Sequence, residues 1–263
     1  MMPNGQPSWP NSTADCQRNK AGMFFRQILH PERACLSYWI GCPTLGRCAV
    51  IDPQGSADTI LQTVAANGMR ITHIFETHIH ADHRSTAREL QALTGAPIYL
   101  GPGTKVDYAV ETLQDEQILK VGKRRIRVLH TPGHSAEHVC LLGDDWYLLT
   151  GDALFVGDVG RVDLDEAAAT PQDFECRAGQ LYQSLQRLLA LPDWIEIYPA
   201  HYAGSACGRD LDGKPISTIG RERRMNRALG LSRPEFIQFQ LANRTEVPED
   251  FRSIRKVNLG LAD

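Results

Sequence analysis

The chain has 263 residues, 42% of them hydrophobic and 22% charged, with 28 Lys and Arg against 31 Asp and Glu. That length buries a full core without staples, which excludes a disulfide-dependent miniprotein. A formal charge of −3 excludes a general attraction to nucleic acid or anionic membrane, so partners belong to local sites.

Residues 1–22 are polar and rich in Pro, Asn and Ser, which predicts a flexible N-terminal tail and no signal peptide. No uncharged segment reaches the roughly 18 apolar residues of a membrane helix. The longest, Leu90 to Thr104, is broken by Gly95, Pro97, Gly101, Pro102 and Gly103. The 7 cysteines, an odd number without a CxxC pair, suit reduced thiols and a cytoplasmic location better than a disulfide framework.

From Ala34 onward, β-like runs alternate with helical ones. Leu36–Ile40, Cys48–Ile51, Ile71–Glu76, Ile98–Leu100, Ile126–His130, Val139–Leu142, Trp146–Thr150 and Ile195–Tyr198 read as strands, several bounded by Gly, Pro or Asp. Ala57–Asn67 places Ile60, Leu61, Val64 and Ala65 on one helical face and is closed by Gly68. Lys120, Lys123, Arg124, Arg125 and Arg127 flank Gly122 as a solvated hairpin tip. Phe174–Leu191 carries Leu181, Leu185, Leu188 and Leu189 at helical spacing before Pro192. After Tyr202 a loop precedes helices at Arg221–Leu229 and Pro234–Asn243, the first with Arg221, Arg223, Arg224 and Arg227 on an exposed face. The expected organisation is a core domain over 23–210, with a C-terminal helical appendage over 211–263 packed on it.

The chemistry sits at strand ends. Directly after Ile71–Phe75 comes Glu76-Thr77-His78-Ile79-His80-Ala81-Asp82-His83. Three imidazoles and a carboxylate this close together repel and desolvate one another unless a cation joins them, so the run reads as a metal site. Pro132-Gly133-His134, Gly151-Asp152 and Pro199-Ala200-His201 each add one ligand type after a strand. They converge if those strands end on one edge of the molecule. His138 is not assigned as a ligand and either faces solvent or supports the site.

These motifs, in order and spacing from Cys35 to Cys207, resemble the metallo-β-lactamase superfamily. The resemblance implies an α+β fold, the αββα sandwich, with a metal centre at one sheet edge. Gly151-Asp152-Ala153-Leu154-Phe155-Val156-Gly157-Asp158-Val159-Gly160-Arg161-Val162-Asp163-Leu164 resembles a segment of persulfide dioxygenases. Ala203-Gly204-Ser205-Ala206-Cys207-Gly208 is similar to the bacterial branch often joined to rhodanese domains. Tyr202 stands where the mitochondrial-type enzymes carry Asp. No rhodanese domain fits the remaining length, so a sulfurtransferase partner would be a separate protein.

That likeness implies one Fe(II) per chain on His78, His134 and Asp152, a facial triad with room for a persulfide sulfur and O2. The expected reaction oxidises a low-molecular-weight persulfide, glutathione persulfide first, to sulfite and thiol. His80, Asp82, His83 and His201 then orient ligands or move protons, and Arg161, Asp163 and Cys207 contact the substrate. A glyoxalase II-like alternative holds two Zn2+ per chain to hydrolyse a thioester or lactone. There Asp152 bridges, His80 joins the first metal, and Asp82, His83 and His201 hold the second. A third reading, motivated by Cys207, is a noncatalytic metal-dependent sulfur carrier or sensor. Oligomeric state is not legible in the sequence.

Overall fold

The computed structural model describes residues 22–164, 170–242 and 248–262. The predicted tail over 1–22 lies outside them except for Gly22, and so does Cys16.

Two six-stranded sheets face each other. The first runs in chain order through β1 (Phe24–His30), β2 (Cys35–Cys42), β3 (Arg47–Ile51), β4 (Arg70–Phe75), β5 (Ile98–Leu100) and β6 (Glu111–Thr112). The second is ordered β12 (Ser217–Thr218), β11 (Glu196–Pro199), β10 (Tyr147–Gly151), β9 (Val139–Gly143), β8 (Arg124–His130) and β7 (Ile118–Val121). Strand alternation explains the layering. Leu36, Tyr38 and Ile40 of β2 meet Val139, Leu141 and Leu149 of the other sheet in a central core. Trp39, Val50 and Ile74 face outward onto α1 (Ala57–Ala66) and α2 (Ala87–Thr94). Cys140, Leu142 and Leu148 face outward onto α3 (Pro171–Leu189), α4 (Ile219–Met225) and α5 (Arg233–Ala242). The result is an αββα sandwich, with β2, β9 and β10 buried throughout because both of their faces are covered.

All eight predicted strands are present, with ends shifted by a residue or two. The sequence reading missed β1, where Arg26 and Gln27 interrupt the apolar pattern; Gln27 is buried and donates to Tyr38 Oη and to Pro215 O. Helix α3 begins earlier than expected, because Thr170 and Asp173 cap each other reciprocally ahead of Pro171. The predicted helix over 221–229 is instead α4 followed by a 3₁₀ turn at Arg227–Gly230. Two short helices were not predicted: α2, and α6 (Phe251–Asn258), whose charged sequence hides a buried stripe of Phe251, Ile254 and Asn258.

Strand direction places the site. β3, β4 and β5 are parallel, and β8 and β10 are both antiparallel to β9, which makes them co-directional with β11. The C-terminal ends of β4, β8, β10 and β11 deliver the His78 loop, His134, Asp152 and His201 to one edge of the sandwich. Bonds between the sheets close that edge: Val139 N–H donates to Thr77 O at 2.8 Å and Leu36 N–H to Ala200 O at 2.7 Å.

Candidate metal centre

His78, His134 and Asp152 are 2%, 5% and 0% exposed. One ligand atom from each lies within 4.8 Å of the other two. His78 Nε2 is 3.8 Å and His134 Nε2 3.5 Å from Asp152 Oδ2, an oxygen that is buried without a hydrogen-bond partner. The far side of each ring fixes its tautomer. His134 Nδ1 lies 2.8 Å from Arg161 O, and a carbonyl only accepts, so Nδ1 carries the proton and Nε2 offers its lone pair. For His78 the chain is one link longer. Thr77 Oγ1 donates to Asp52 Oδ2 at 2.9 Å and so accepts from His78 Nδ1 at 3.0 Å. Burial and the neighbouring His80 and His134 hold the His78 pKa well below the ordinary histidine value. Burial would raise the pKa of Asp152, but the His201 and His134 imidazoles bring it down to about 2. Two neutral imidazoles and an ionised carboxylate with one unfilled oxygen fit a divalent transition-metal ion.

The loops have little freedom in sequence. Gly151 has φ +50, and a Cβ there would press on His138 Nε2 and on Thr77. Gly133, at φ +142, abuts the backbone of Leu181 in α3. These glycines explain why Pro-Gly-His and Gly-Asp recur ahead of the ligands. His138 is fully buried, and its Nε2 accepts the Asp152 backbone N–H at 3.0 Å while Nδ1 meets Thr131 Oγ1 at 2.8 Å. Burial lowers its pKa to about 3, as this accepting role requires.

The other predicted residues gather at an adjoining pole. His201 Nδ1 is 2.7 Å from Asp152 Oδ1 and its Nε2 is 2.8 Å from Asp82 Oδ2. Both nitrogens therefore carry protons: burial disfavours the charge, but Asp152 and then Cys207 and Asp82 raise the pKa well above 6.5. His83 Nδ1 is 3.2 Å from the same Asp82 oxygen, and although burial opposes it, Asp82 raises the His83 pKa to about 9. His80 does not join His78, His134 and Asp152. Its Nε2 faces Asp52 Oδ1 at 3.1 Å and Glu76 Oε2 at 3.2 Å. Arg161 is 1% exposed, with Nε and Nη2 on the two Asp163 carboxylate oxygens at 2.8 and 3.0 Å and Nη1 on Ala206 O. It braces the 205–207 loop rather than reaching into open space. Cys207 is 2% exposed and lines a small cavity with His78, Asp82, His134, Leu164 and Arg255. A cleft of about 320 Å³ beside Asp82, lined by Arg33, Ser205 and Phe251 among others, leads outward.

Four groups that sequence reasoning missed shape the centre. Asp52 accepts the Thr77 N–H at 2.7 Å as well as its hydroxyl. Cys35, at the start of β2, donates to Asp82 Oδ2 at 3.0 Å. Asn258 of α6 donates to both His80 O and His83 O at 2.8 Å and accepts from Ser85 N–H at 3.0 Å, pinning the histidine loop, while Arg255 donates to Ile79 O at 2.9 Å. Nothing local in the sequence signals Asp52 or Asn258. In the sequence Cys35 is only one of 7 cysteines.

Comparison with known proteins agrees with this architecture. The metallo-beta-lactamase superfamily profile matches residues 30–201. A hydroxyacylglutathione hydrolase of Rhodospirillum rubrum is 33% identical over 167 residues, 62% of this chain and 60% of that protein, so the match spans less than two thirds of the relative's length. A metallo-beta-lactamase structure from Staphylococcus aureus superposes with a TM-score of 0.86 at 33% identity, over 91% of this chain and 74% of that one. ETHE1 from Myxococcus xanthus superposes with a TM-score of 0.78 at 31% identity, over 90% of this chain and 99% of that one.

Proposed function

The chain belongs to the metallo-beta-lactamase superfamily, and from that premise we propose that it is a persulfide dioxygenase working at one iron(II) held by His78, His134 and Asp152. The reaction is RSSH + O2 + H2O → RSH + H2SO3, with glutathione persulfide as the leading substrate. The observation that carries this reading is the His78, His134 and Asp152 set. Of the four buried ligand clusters among the described residues, it is the one whose two imidazoles are fixed by outward Nδ1 partners with Nε2 turned to a carboxylate oxygen that has no hydrogen-bond partner. His80 Nε2 lies instead toward Asp52 and Glu76. Two imidazoles and a carboxylate leave open positions, and iron(II), when bound, supplies the oxygen chemistry. The likeness of Gly151–Leu164 to persulfide dioxygenases, and an ETHE1 structure covered over 99% of its length, support the same reading.

The chain's own residues supply position and protons. Thr77 and the Arg161 carbonyl hold His78 and His134 in the tautomers that face the centre. His201 stands between Asp152 and Asp82 and carries a proton that can be passed at Nε2. Leu164, Ile79 and Cys207 wall the cavity and limit water. In this reading the cleft beside Asp82 is the route for the persulfide. A sulfurtransferase is the class of partner that would supply the persulfide, and a cytoplasmic location belongs to the same proposal. No helix among the described residues is long and apolar enough to cross a membrane.

The 33% identity to a hydroxyacylglutathione hydrolase favours a second reading, thioester hydrolysis at two zinc ions. Metal analysis of anaerobically purified protein, paired with activity, separates the two. One iron per chain with O2 uptake on glutathione persulfide is expected. Two zinc ions per chain, with hydrolysis of S-lactoylglutathione and no O2 uptake, would overturn the dioxygenase.

A further inference from the structure

One hydroxyl beside the metal centre has no partner in the fold. Ser135 is 2% exposed, and its Oγ is buried without a hydrogen bond among the described residues. The loop that carries it is held from several sides. Thr131 N–H donates to His138 O at 2.9 Å, Gly133 N–H to Ser135 O at 3.0 Å, and Ser184 Oγ–H to Pro132 O at 2.8 Å. His130 Nε2 lies 2.9 Å from Ala136 O, which only accepts, so the ring donates there as well. Helix α3 closes on the turn so tightly that a Cβ on Gly133 would press into the Leu181 backbone. A loop this constrained does not leave a buried hydroxyl unpaired through slackness, and such groups are costly and uncommon.

Ser135 also lines the small cavity beside the metal ligands, together with His78, His134, Leu164, Cys207 and Arg255, and among the described residues it brings the only hydroxyl to that lining. The cavity holds about 10 Å³, room for an atom or two and not for the body of a thiol. The other donors there are weaker or already engaged. A Cys207 S–H is a poor donor, and Arg255 donates to Ile79 O at 2.9 Å. What fits beside His78 and His134 and satisfies a lone O–H is a small acceptor. Of the two reactants proposed above, O2 is a weak acceptor, whereas the ionised outer sulfur of a persulfide carries a full charge and takes a charge-assisted hydrogen bond.

We propose that Ser135 is the sulfur anchor of the centre: its hydroxyl donates to the ionised outer sulfur of the persulfide and holds it at the open side of the metal bound by His78, His134 and Asp152. The inference rests on the persulfide reading and adds to it a residue that touches the reacting atom. Ser135 follows His134 directly, so one rigid turn places both a metal ligand and a substrate donor, and the hydrogen bond fixes how the sulfur lies before it reacts. The sulfur keeps its charge, and no covalent bond is made or broken in this step. The isolation of the hydroxyl in the substrate-free chain is then the stability cost of a donor set in place ahead of its acceptor.

The test loads the protein with cobalt(II), which binds sulfur anions without oxidising them, and titrates it anaerobically with hydrosulfide, a sulfur anion small enough for the cavity. A sulfur-to-cobalt charge-transfer band in the near ultraviolet reads occupancy. Ser135→Ala is expected to raise the Kd roughly 10- to 100-fold, the range for a hydrogen bond to a charged group, and Ser135→Thr, which keeps the hydroxyl, to restore it. In the iron-loaded protein the KM for glutathione persulfide should rise by a similar factor in the alanine variant. Thermal unfolding separates a ligand role from a structural one: removing an unpaired hydroxyl should leave Tm unchanged or higher, whereas losing an internal hydrogen bond would lower it. An unchanged Kd in Ser135→Ala, no band in the unaltered protein, or a lower Tm with binding intact would overturn the anchor. The outcome is separable from the proposed oxidation. A hydroxyl-dependent Kd without O2 uptake leaves the anchor standing and removes the dioxygenase, and O2 uptake with an unchanged Kd does the reverse.

Discussion

The two poles of the histidine cluster differ in what they aim at their centres. At His78, His134 and Asp152, each Nδ1 proton is spent outward, on Thr77 and on the Arg161 carbonyl, so lone pairs point inward. At Asp82 the opposite holds: the Cys35 S–H, the His83 N–H and the His201 N–H all point at one carboxylate oxygen. A metal ion needs lone pairs, so the first pole receives one as it stands, and the second must first lose protons. Seven ligand-type residues in one loop cluster therefore do not imply two equivalent sites. What separates the poles is the set of outward partners, which no ligand motif records.

The sharpest way to break the comparison is to remove one group from each pole. His134→Ala takes away an inward lone pair and should abolish metal retention, with activity falling by more than the roughly 100-fold upper range for outer partners. His201→Ala should leave the metal bound and slow turnover through loss of the proton carrier. Metal-to-protein ratios after gel filtration check both, and equal loss in the two variants would mean that the poles share their metals. One step smaller is His138→Leu, which leaves the Asp152 N–H without its acceptor and removes the ring stacked on His78 while taking away no ligand atom. Metal affinity by chelator competition should weaken about 10- to 100-fold. Unchanged affinity would remove the backing of Asp152 from the account.

Smaller again is the clamp from the C-terminal helix. Asn258 makes three hydrogen bonds to the histidine loop, to His80 O, His83 O and Ser85 N–H. Asn258→Ala should cost about 2–3 kcal/mol of stability in chemical denaturation, at roughly 1 kcal/mol for each bond. Because the clamp acts on His80 and His83, the variant should loosen the Asp82 pole more than the His134 and Asp152 pole. Faster amide exchange confined to residues 79–85 is the readout that a general loss of stability would not give.

Much of this was legible in the sequence, and the remainder has a common cause. The strands showed because both their faces are buried, and the ligands showed because His78 to His83 is a local run and Gly133 and Gly151 stand beside their partners. Asp52 did not, because its role exists only once parallel pairing of β3 with β4 sets it beside Thr77. Cys35 needs the β2 start to dock on the loop after β11, and Asn258 needs a short charged helix folded back across more than half the chain. For Arg161 the partner is local instead: Asp163, two residues on, holds its guanidinium. Motifs report what a residue is able to do, and long-range pairing decides which partner it meets.

The last contrast concerns protons and applies to the metal-free protein. His138 is held neutral, with a folded-state pKa near 3 against about 6.5 unfolded, chiefly by burial. Its stabilising contribution is complete above pH 6.5 and is lost as the pH falls toward 3, because the unfolded chain takes up a proton that the folded one refuses. His78, lowered in the same direction, adds to that acid limb. His201 and His83 have raised values, so their contributions are complete below pH 6.5 and are lost only as the pH rises, for His83 through about 9. Between pH 6 and pH 5 the slope belongs to the histidines held neutral, His78 and His138 at the first pole with His30 and His73 away from it, at about 1.4 kcal/mol per pH unit for each of the fully buried His78 and His138. His138→Gln, which keeps an acceptor beneath Asp152 but cannot titrate there, should flatten the pH 6 to 5 slope of unfolding free energy by about one such increment. His83→Asn should change chiefly the alkaline limb and touch the acid one only through His30, whose charge His83 helps to disfavour. If the acid slope responded to His83 instead, the second pole would be the one holding neutral imidazoles, and the division between inward lone pairs and inward protons would be reversed.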